Sequence, residues 1–192
     1  MTTDFADIDP NHLAAILYQP ADDVDTMLAD FANELQRGGI RVGGIVQRNR
    51  KDATGQQNGM EVIDLTSGRK ISICQPLGSG SMACKLDAAG LAEAAVVVAN
   101  AISQQVELMI INKFSKQEAS GRGLRSEFAE TIMAGIPVLT AVPLKSHDAW
   151  REFTGNRGTT LLCAPYAVHD WWRNISARIA ASKKMMPARP AA

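Results

Sequence analysis

The segment 112–123 carries the side chains best suited to holding a small anion. Three basic residues and two glycines fall within it: Lys113, Lys116, Arg122, Gly121 and Gly123. Backbone N–H groups in a glycine-containing turn before a helix, together with positive side chains, can bind phosphate or another tetrahedral oxyanion. We therefore predict an anion site here, which Asn112 begins and to which Arg48, from the loop after the second strand, contributes a further charge.

The same segment has a second interpretation, a solvated basic loop in which Gly121 and Gly123 serve only the turn. A third interpretation is an enzyme active site. In that case Glu118 or Asp64 would act as the base, while Lys113 and Arg122 would stabilise the group that is transferred.

Two further candidates lie in the middle of the chain. The loop Gly78-Ser79-Gly80-Ser81 could wrap a ligand, although Gly/Ser tracts are more often flexible connectors. Cys84 beside Lys85 could be a nucleophile or a soft metal ligand, but with no histidine nearby in sequence a buried thiol is favoured.

The other metal and redox signals are weak. The cysteines Cys74, Cys84 and Cys163 form no CxxC motif, and a reducing compartment would keep them as free thiols. The histidines show no ligand spacing, so we predict no metal site, and nothing in the sequence identifies a cofactor.

Short apolar runs alternate with amphipathic stretches, which is typical of helices packed on a mainly parallel sheet. The predicted strands are Leu13–Tyr18, Ile40–Val46, Met60–Leu65, Lys70–Cys74, Val106–Ile111, Pro137–Val142 and Thr159–Ala164. The third and fourth form an antiparallel hairpin. The predicted helices are one from Val24 to Leu35, one over Asp87–Gln105, one through Leu124, Phe128 and Ile132, a short one at Trp150 and Phe153, and a last one through Val168, Trp171, Trp172, Ile175 and Ile179.

These elements predict a single three-layer α/β domain over residues 13–182, with an N-terminal extension at 1–12 and a disordered tail at 183–192. Ligands of open α/β sheets bind outside the carboxyl ends of the strands. The loops at those ends begin at Gln19, Gln47, Leu77, Asn112 and Pro143.

Composition excludes several classes of function. Twenty Lys and Arg balance twenty Asp and Glu, so general nucleic-acid binding is not expected. The sequence has neither a signal-peptide pattern nor an apolar run of about 20 residues, so we expect a cytoplasmic protein without a membrane span. The sequence indicates no particular protein partner.

Several motifs resemble known families. Residues 13–142 resemble the small nucleoside-triphosphatase family of P-loop proteins. The resemblance lies in the order of the first strand, its loop and the first helix, followed by Val42-Gly43-Gly44-Ile45-Val46 and Met60–Leu65. A more specific resemblance is to a bacterial family of unknown function. It rests on four segments: Gln75-Pro76-Leu77-Gly78, Cys84-Lys85-Leu86-Asp87, the run from Asn112 to Ala119, and Gly121-Arg122-Gly123. The resemblance implies a P-loop NTPase-like fold and a link to molybdate uptake, because members of that family are often encoded beside molybdate-uptake genes.

The phosphate-binding loop departs from the P-loop pattern. The slot for GxxxxGK[ST] is Tyr18–Asp25, in which Tyr18 and Asp23 replace the glycines, Val24 replaces the lysine and Asp25 replaces the hydroxyl that binds Mg²⁺. A strand-ending carboxylate for Mg²⁺ is also missing, because Asn112 stands there. Asp22, Asp23 and Asp25 favour helix capping, with cation binding as the alternative.

The sequence thus predicts a degenerate phosphate loop and no Walker-type NTPase. We expect a non-catalytic binding or regulatory protein, with a small oxyanion or a nucleotide as its ligand. The alternative is a nucleoside triphosphatase or phosphotransferase with a non-Walker site.

Overall fold

A mainly parallel sheet forms the centre of the molecule. The computed structural model describes residues 9–51, 54–55, 57–76 and 84–185. The strands of the described residues are β1 (Leu13–Tyr18), β2 (Val42–Lys51), β3 (Gln57–Asp64), β4 (Lys70–Ser72), β5 (Cys74–Pro76), β6 (Cys84–Leu86), β7 (Leu108–Ile111), β8 (Val138–Pro143) and β9 (Thr159–Leu162). Seven of them form one sheet in the order β4-β3-β2-β7-β8-β1-β9, and β5 pairs with β6 separately.

The sheet is parallel from β2 across to β9 and antiparallel at its other edge. β1 lies between β8 and β9, β7 lies between β2 and β8, and all of these pairs are parallel. β3 pairs antiparallel with both β2 and β4, and β5 pairs antiparallel with β6. The predicted α/β class, mainly parallel sheet and antiparallel hairpin are confirmed.

Helices cover both faces of this sheet and make three layers. The helices of the described residues are α1 (Val24–Arg37), α2 (Ala88–Ser103), α3 (Lys116–Ala119), α4 (Arg125–Met133), α5 (His147–Phe153) and α6 (Pro165–Met185). Buried side chains of α1 and α6 pack in one apolar cluster, and those of α2, α4 and α5 pack in the other. Because neighbouring residues of a strand point to opposite faces, the two clusters share every central strand.

An aromatic group fixes the loop after β7 to the second face. Phe114 is fully buried and lies 5.1 Å from Trp150, 5.4 Å from Phe153 and 5.6 Å from Phe128 between ring centroids. Such contacts add to the free energy gained from burial alone. The start of the loop Asn112–Gly123 is therefore anchored in the core.

Three sequence predictions need correction. β2 continues through Gln47 and Arg48 to Lys51, because its pairing with β3 carries the strand past the end of the apolar run. Residues 183–185, predicted as disordered tail, belong to α6, which ends at Met185. The predicted strand Lys70–Cys74 is divided, since Ile73 separates β4 from β5.

The expectation of free cysteines is also wrong for Cys74, which is disulfide-bonded, whereas Cys163 is a free thiol. The expectation rested on compartment alone, and a compartment says nothing about which side chains a fold brings together. Within the described part of the chain, no helix combines the length and the apolar character needed to cross a bilayer.

Candidate functional site

Tyr18 and Asn112 lie at the carboxyl ends of two strands and face the same helix layer. Tyr18 is the last residue of β1, and Asn112 directly follows β7. Ile16 and Ile110, each two residues earlier, pack in the cluster that contains α1. By strand alternation Tyr18 and Asn112 project to that face, toward the first turn of α1.

A polar network connects these strand ends to α1. Asn112 donates a hydrogen bond from Nδ2 to Asp25 Oδ1 at 2.8 Å. Lys113 Nζ lies 3.5 Å from the same carboxylate oxygen and donates to the hydroxyl of Tyr18 at 3.1 Å. The ammonium also lies 5.1 Å from the centroid of the Tyr18 ring. The Lys113 and Asp25 side chains are 18% and 17% exposed, which screens this ion pair only partly from water.

The other end of the Asn112 amide has no partner. Asn112 is 2% exposed, and its Oδ1 atom is buried without a hydrogen bond in the described structure. Because Nδ2 must face the carboxylate of Asp25, the free group is an acceptor. An unsatisfied buried acceptor is costly and frequently marks a functional position.

The other two carboxylates at the start of α1, those of Asp22 and Asp23, accept hydrogen bonds from backbone N–H groups. Asp23 is the N-cap and accepts from Thr26 N at 3.3 Å, while Asp22 Oδ2 accepts from Gln19 N at 2.6 Å. Helix capping, predicted for these residues, is confirmed for Asp23. Asp25 differs, because its carboxylate reaches across to the loop after β7.

Glu118 holds the loop Asn112–Gly123 together from inside. It is 5% exposed. Its Oε2 accepts from Ser115 N at 2.9 Å, and its Oε1 accepts from Leu124 N at 3.1 Å. Gly123 packs beside it with φ of +60°, so that a Cβ at this position would collide with the carboxylate. This arrangement gives Glu118 a structural role in shaping the loop.

The basic residues of the loop do not share one set of partners. Lys113 contacts Tyr18 of β1 and Asp25 of α1. Arg122 is exposed and donates from Nε to Ser120 Oγ at 3.4 Å, and Lys116 is exposed on the short helix α3. Gly121 has φ of +80° and open space around it, which suits a turn. Lys116, Arg122 and Gly121 therefore remain on the solvent side of the loop.

Arg48 lies on a strand, and not in the loop that the sequence predicts. Asn112 N donates to Ile45 O, so Arg48 lies three residues beyond that contact, roughly 10 Å further along β2 at the usual rise. Val46 packs in the cluster with α1, and alternation therefore puts Arg48 on the face of Tyr18 and Asn112. Arg48 is exposed and pairs in register with Glu61 of β3.

The other candidates are less informative. The loop Gly78–Ser81 lies outside the described residues, and so does the side chain of Cys84, whose backbone begins β6 opposite Pro76. No three His, Cys, Asp or Glu side chains of the described chain gather as a metal site. Burial raises the pKa of the Cys163 thiol, and the carboxylates of Asp22 and Asp23 raise it further. The negative charge at the start of α1 therefore acts on the residue that follows β9.

A family model described as "Protein of unknown function (DUF2478)" matches residues 13–171. The chain belongs to this family. The match covers every strand of the described residues and the first third of α6, and it includes both strand ends of the network.

Known proteins and solved structures extend this result. The chain is 66% identical over 179 residues to "Molybdenum import ATP-binding protein ModC 2" of Bradyrhizobium diazoefficiens (strain USDA 110), covering 93% of this chain and 20% of that protein. It therefore spans about a fifth of the length of that relative. A human cancer-related nucleoside triphosphatase has a similar structure, with a TM-score of 0.59, 16% identity, and coverage of 86% of this chain and 95% of that one. THEP1 from Aquifex aeolicus also has a similar structure, with a TM-score of 0.58 and 14% identity. The match covers 78% of this chain and 87% of that one. The predicted P-loop NTPase-like fold is confirmed.

Asn112 and Lys113 are predicted from the sequence, but their partners are not. Tyr18 is marked in the sequence only as a departure from the phosphate loop, and Asp25 as such a departure, as a capping residue or as a cation ligand. Parallel strands could have placed Tyr18 and Asn112 at the same edge of the sheet, since Tyr18 ends one predicted strand and Asn112 follows another. The contact of Lys113 with Asp25 had no such signal, because it depends on the direction in which the loop leaves β7.

Proposed function

We propose that this chain is a non-catalytic ligand-binding or regulatory domain whose ligand is a small oxyanion or the phosphate of a nucleotide. The observation that carries the proposal is the network of Asp25, Asn112 and Lys113. It stands at the strand ends where a P-loop protein would hold a nucleotide and its metal ion.

The phosphate loop is degenerate in this proposal. In a P-loop the lysine reaches the β- and γ-phosphates. Val24 fills that slot and is 2% exposed within the apolar core, so it offers no charge. Asp22, Asp23 and Asp25 surround the helix start, and Lys113 offsets only one of their charges. A triphosphate lying on α1 would be repelled there, although helix N-termini otherwise favour anions.

The proposed site is on the outer side of Lys113, away from α1. The Lys113 ammonium donates to Tyr18 and lies 3.5 Å from Asp25, and its partial exposure leaves room for a ligand oxygen to accept from it. Arg122 and Lys116 on the solvent side of the same loop, and Arg48 beyond Asn112, supply additional positive charge. This combination suits a small, compact anion.

The enzymatic alternative has less support. Its candidate bases are both used by the local backbone. Glu118 binds two backbone N–H groups, and Asp64 accepts from Thr66 N at 2.8 Å and from Ser67 Oγ at 2.6 Å. A base must be within reach of its substrate, and these carboxylates are directed into their own turns.

A role in molybdate uptake is part of the proposal. The relative is named for molybdenum import, and the present chain matches about a fifth of its length. We propose that the domain senses or binds an anion on behalf of that import, with molybdate as the first ligand to test.

A thermal-shift screen tests the proposal. Phosphate, sulfate, molybdate, ADP and ATP would each be added with and without Mg²⁺, while phosphate release is followed in parallel. Ligand at a hundredfold excess over Kd contributes about 2.7 kcal/mol, which for a chain of this size raises Tm by roughly 5–10 °C. Saturable binding without turnover supports the proposal. Steady phosphate release that disappears in Asp64→Asn or Glu118→Gln would support the enzymatic alternative.

Calorimetry on variants locates the site. Lys113→Ala and Arg122→Ala should weaken binding of the anion found in the screen by about ten- to a hundredfold, because charge-assisted contacts contribute about 1.5–3 kcal/mol. Lys183→Ala in α6 is the control for lost positive charge. Titrations should be run well below Tm, since Lys113 is only 18% exposed and its loss also reduces stability. Equal affinity in all three variants would exclude this site.

A further inference from the structure

The surroundings of the Lys113 ammonium resemble those of a bound cation. Its partners are the carboxylate of Asp25 at 3.5 Å and the hydroxyl of Tyr18 at 3.1 Å. Carboxylate and hydroxyl oxygens are ligands of hard metal ions. Asn112 donates from Nδ2 to the same carboxylate, and its buried Oδ1 has no hydrogen-bond partner in the described structure.

The two protein positions that hold Mg²⁺ in a P-loop protein are the hydroxyl after the loop lysine and the acid at the end of a neighbouring strand. Here these positions are Asp25 and Asn112, which are hydrogen-bonded to each other. Asp25 stands where a P-loop protein has the hydroxyl, and Asn112 stands where it has the acid. The total charge of the two positions is therefore the same as in a P-loop protein. A divalent ion beside Asp25 would meet the positive charge of Lys113 at short range, so the residues present do not fit a metal ion.

We infer that the ammonium group of Lys113 occupies a cation site and replaces a divalent metal ion, so that anion binding at this edge needs no metal. The part that concerns the ligand rests on the proposed function. Like a metal ion, the ammonium touches protein oxygens on one side and has a free direction on the other. Unlike a metal ion, it is delivered by the chain itself and is present whenever the domain is folded.

The first test uses Mn²⁺ alone, followed by the electron paramagnetic resonance signal of the free ion. The wild type should bind Mn²⁺ at this site only weakly. Lys113→Ala uncovers Asp25 and Asn112 and should bind Mn²⁺ at least about tenfold more tightly than the wild type. The double variant Lys113→Ala, Asp25→Asn should lose this gain.

Two results would overturn the inference. They are Mn²⁺ binding by Lys113→Ala that is no tighter than that of the wild type, and a gain that survives in the double variant. Far-ultraviolet circular dichroism and tryptophan fluorescence report whether each variant is folded. If Lys113→Ala is not, Lys113→Gln removes the charge and keeps a donor for Tyr18.

The second test titrates phosphate and molybdate into wild type in EDTA and in Mg²⁺. Affinities within about twofold are expected, and a dependence on Mg²⁺ of tenfold or more would contradict metal-free binding. If neither phosphate nor molybdate bound in EDTA or in Mg²⁺, the result would count against the proposed function. The Mn²⁺ experiment would still decide whether Lys113 fills a cation site.

Discussion

The substitution Glu118→Ala should destabilise the fold strongly, although Glu118 lies in the loop that the sequence marks as functional. Its carboxylate oxygens accept from Ser115 N and Leu124 N at 2.9 and 3.1 Å, and the side chain is 5% exposed. Hydrogen bonds to a charged group contribute about 1.5–3 kcal/mol each, and alanine leaves both donors without an acceptor. We expect a loss of about 3–5 kcal/mol in the free energy of unfolding, or roughly 10 °C or more in Tm.

Urea denaturation measures this loss, provided that the slope of the free energy against urea is unchanged. Glu118→Gln keeps one acceptor and should lose about half as much. Glu130→Ala, an exposed position on α4, is the matched control and should stay within about 0.5 kcal/mol of wild type. Residues kept for catalysis are often neutral or costly to stability. A stable Glu118→Ala protein, equal to the Glu130→Ala control, would therefore refute the structural role and reopen a catalytic one.

Three further predictions concern the same edge of the sheet. Gly123→Ala should lower stability by at least about 1–2 kcal/mol in thermal unfolding, because its positive φ is strained for alanine and its Cβ would meet the loop carboxylate; an unchanged Tm would contradict this packing. Val24→Lys should give no ATP hydrolysis in a phosphate-release assay and should reduce Tm, since Val24 is buried in the core and the loop still lacks its glycines; activity well above wild type would refute a degenerate loop. Asp22→Asn should lower the raised pKa of the Cys163 thiol, so the thiol should react with iodoacetamide at lower pH; an unshifted pH–rate profile would exclude the influence of that carboxylate.

The sequence predicts most of the fold because apolar periodicity and burial agree. Leu13–Tyr18 was predicted with the bounds of β1, and Trp150, Trp171 and Trp172, which lie on predicted helices, are buried in the core. The end of β2 was missed because Arg48 and its neighbours are polar. Their strand conformation comes from pairing with β3, which is a tertiary property.

The site was predicted only in part, for a related reason. The type and position of Asn112 and Lys113 can be read from the chain, since both follow a central strand. What they touch cannot be read in this way. Lys113 was expected to face an anion together with Arg122, yet its closest partners are on β1 and α1, and Glu118 turns inward to bind backbone groups. Side-chain direction in a loop depends on contacts distant in sequence.

The position of β1 in the sheet has a consequence for how the protein acquires its site during synthesis. β1 is made early, but its neighbours β8 and β9 end at Pro143 and Leu162. The bonds from Asn112 to Asp25 and from Lys113 to Tyr18 span 87 and 95 residues. Contacts of such long range form slowly and late, because the chain entropy between them must be lost first. A nascent chain on the ribosome therefore has no binding edge until nearly all of the domain has emerged, and ligand binding there would report completed folding.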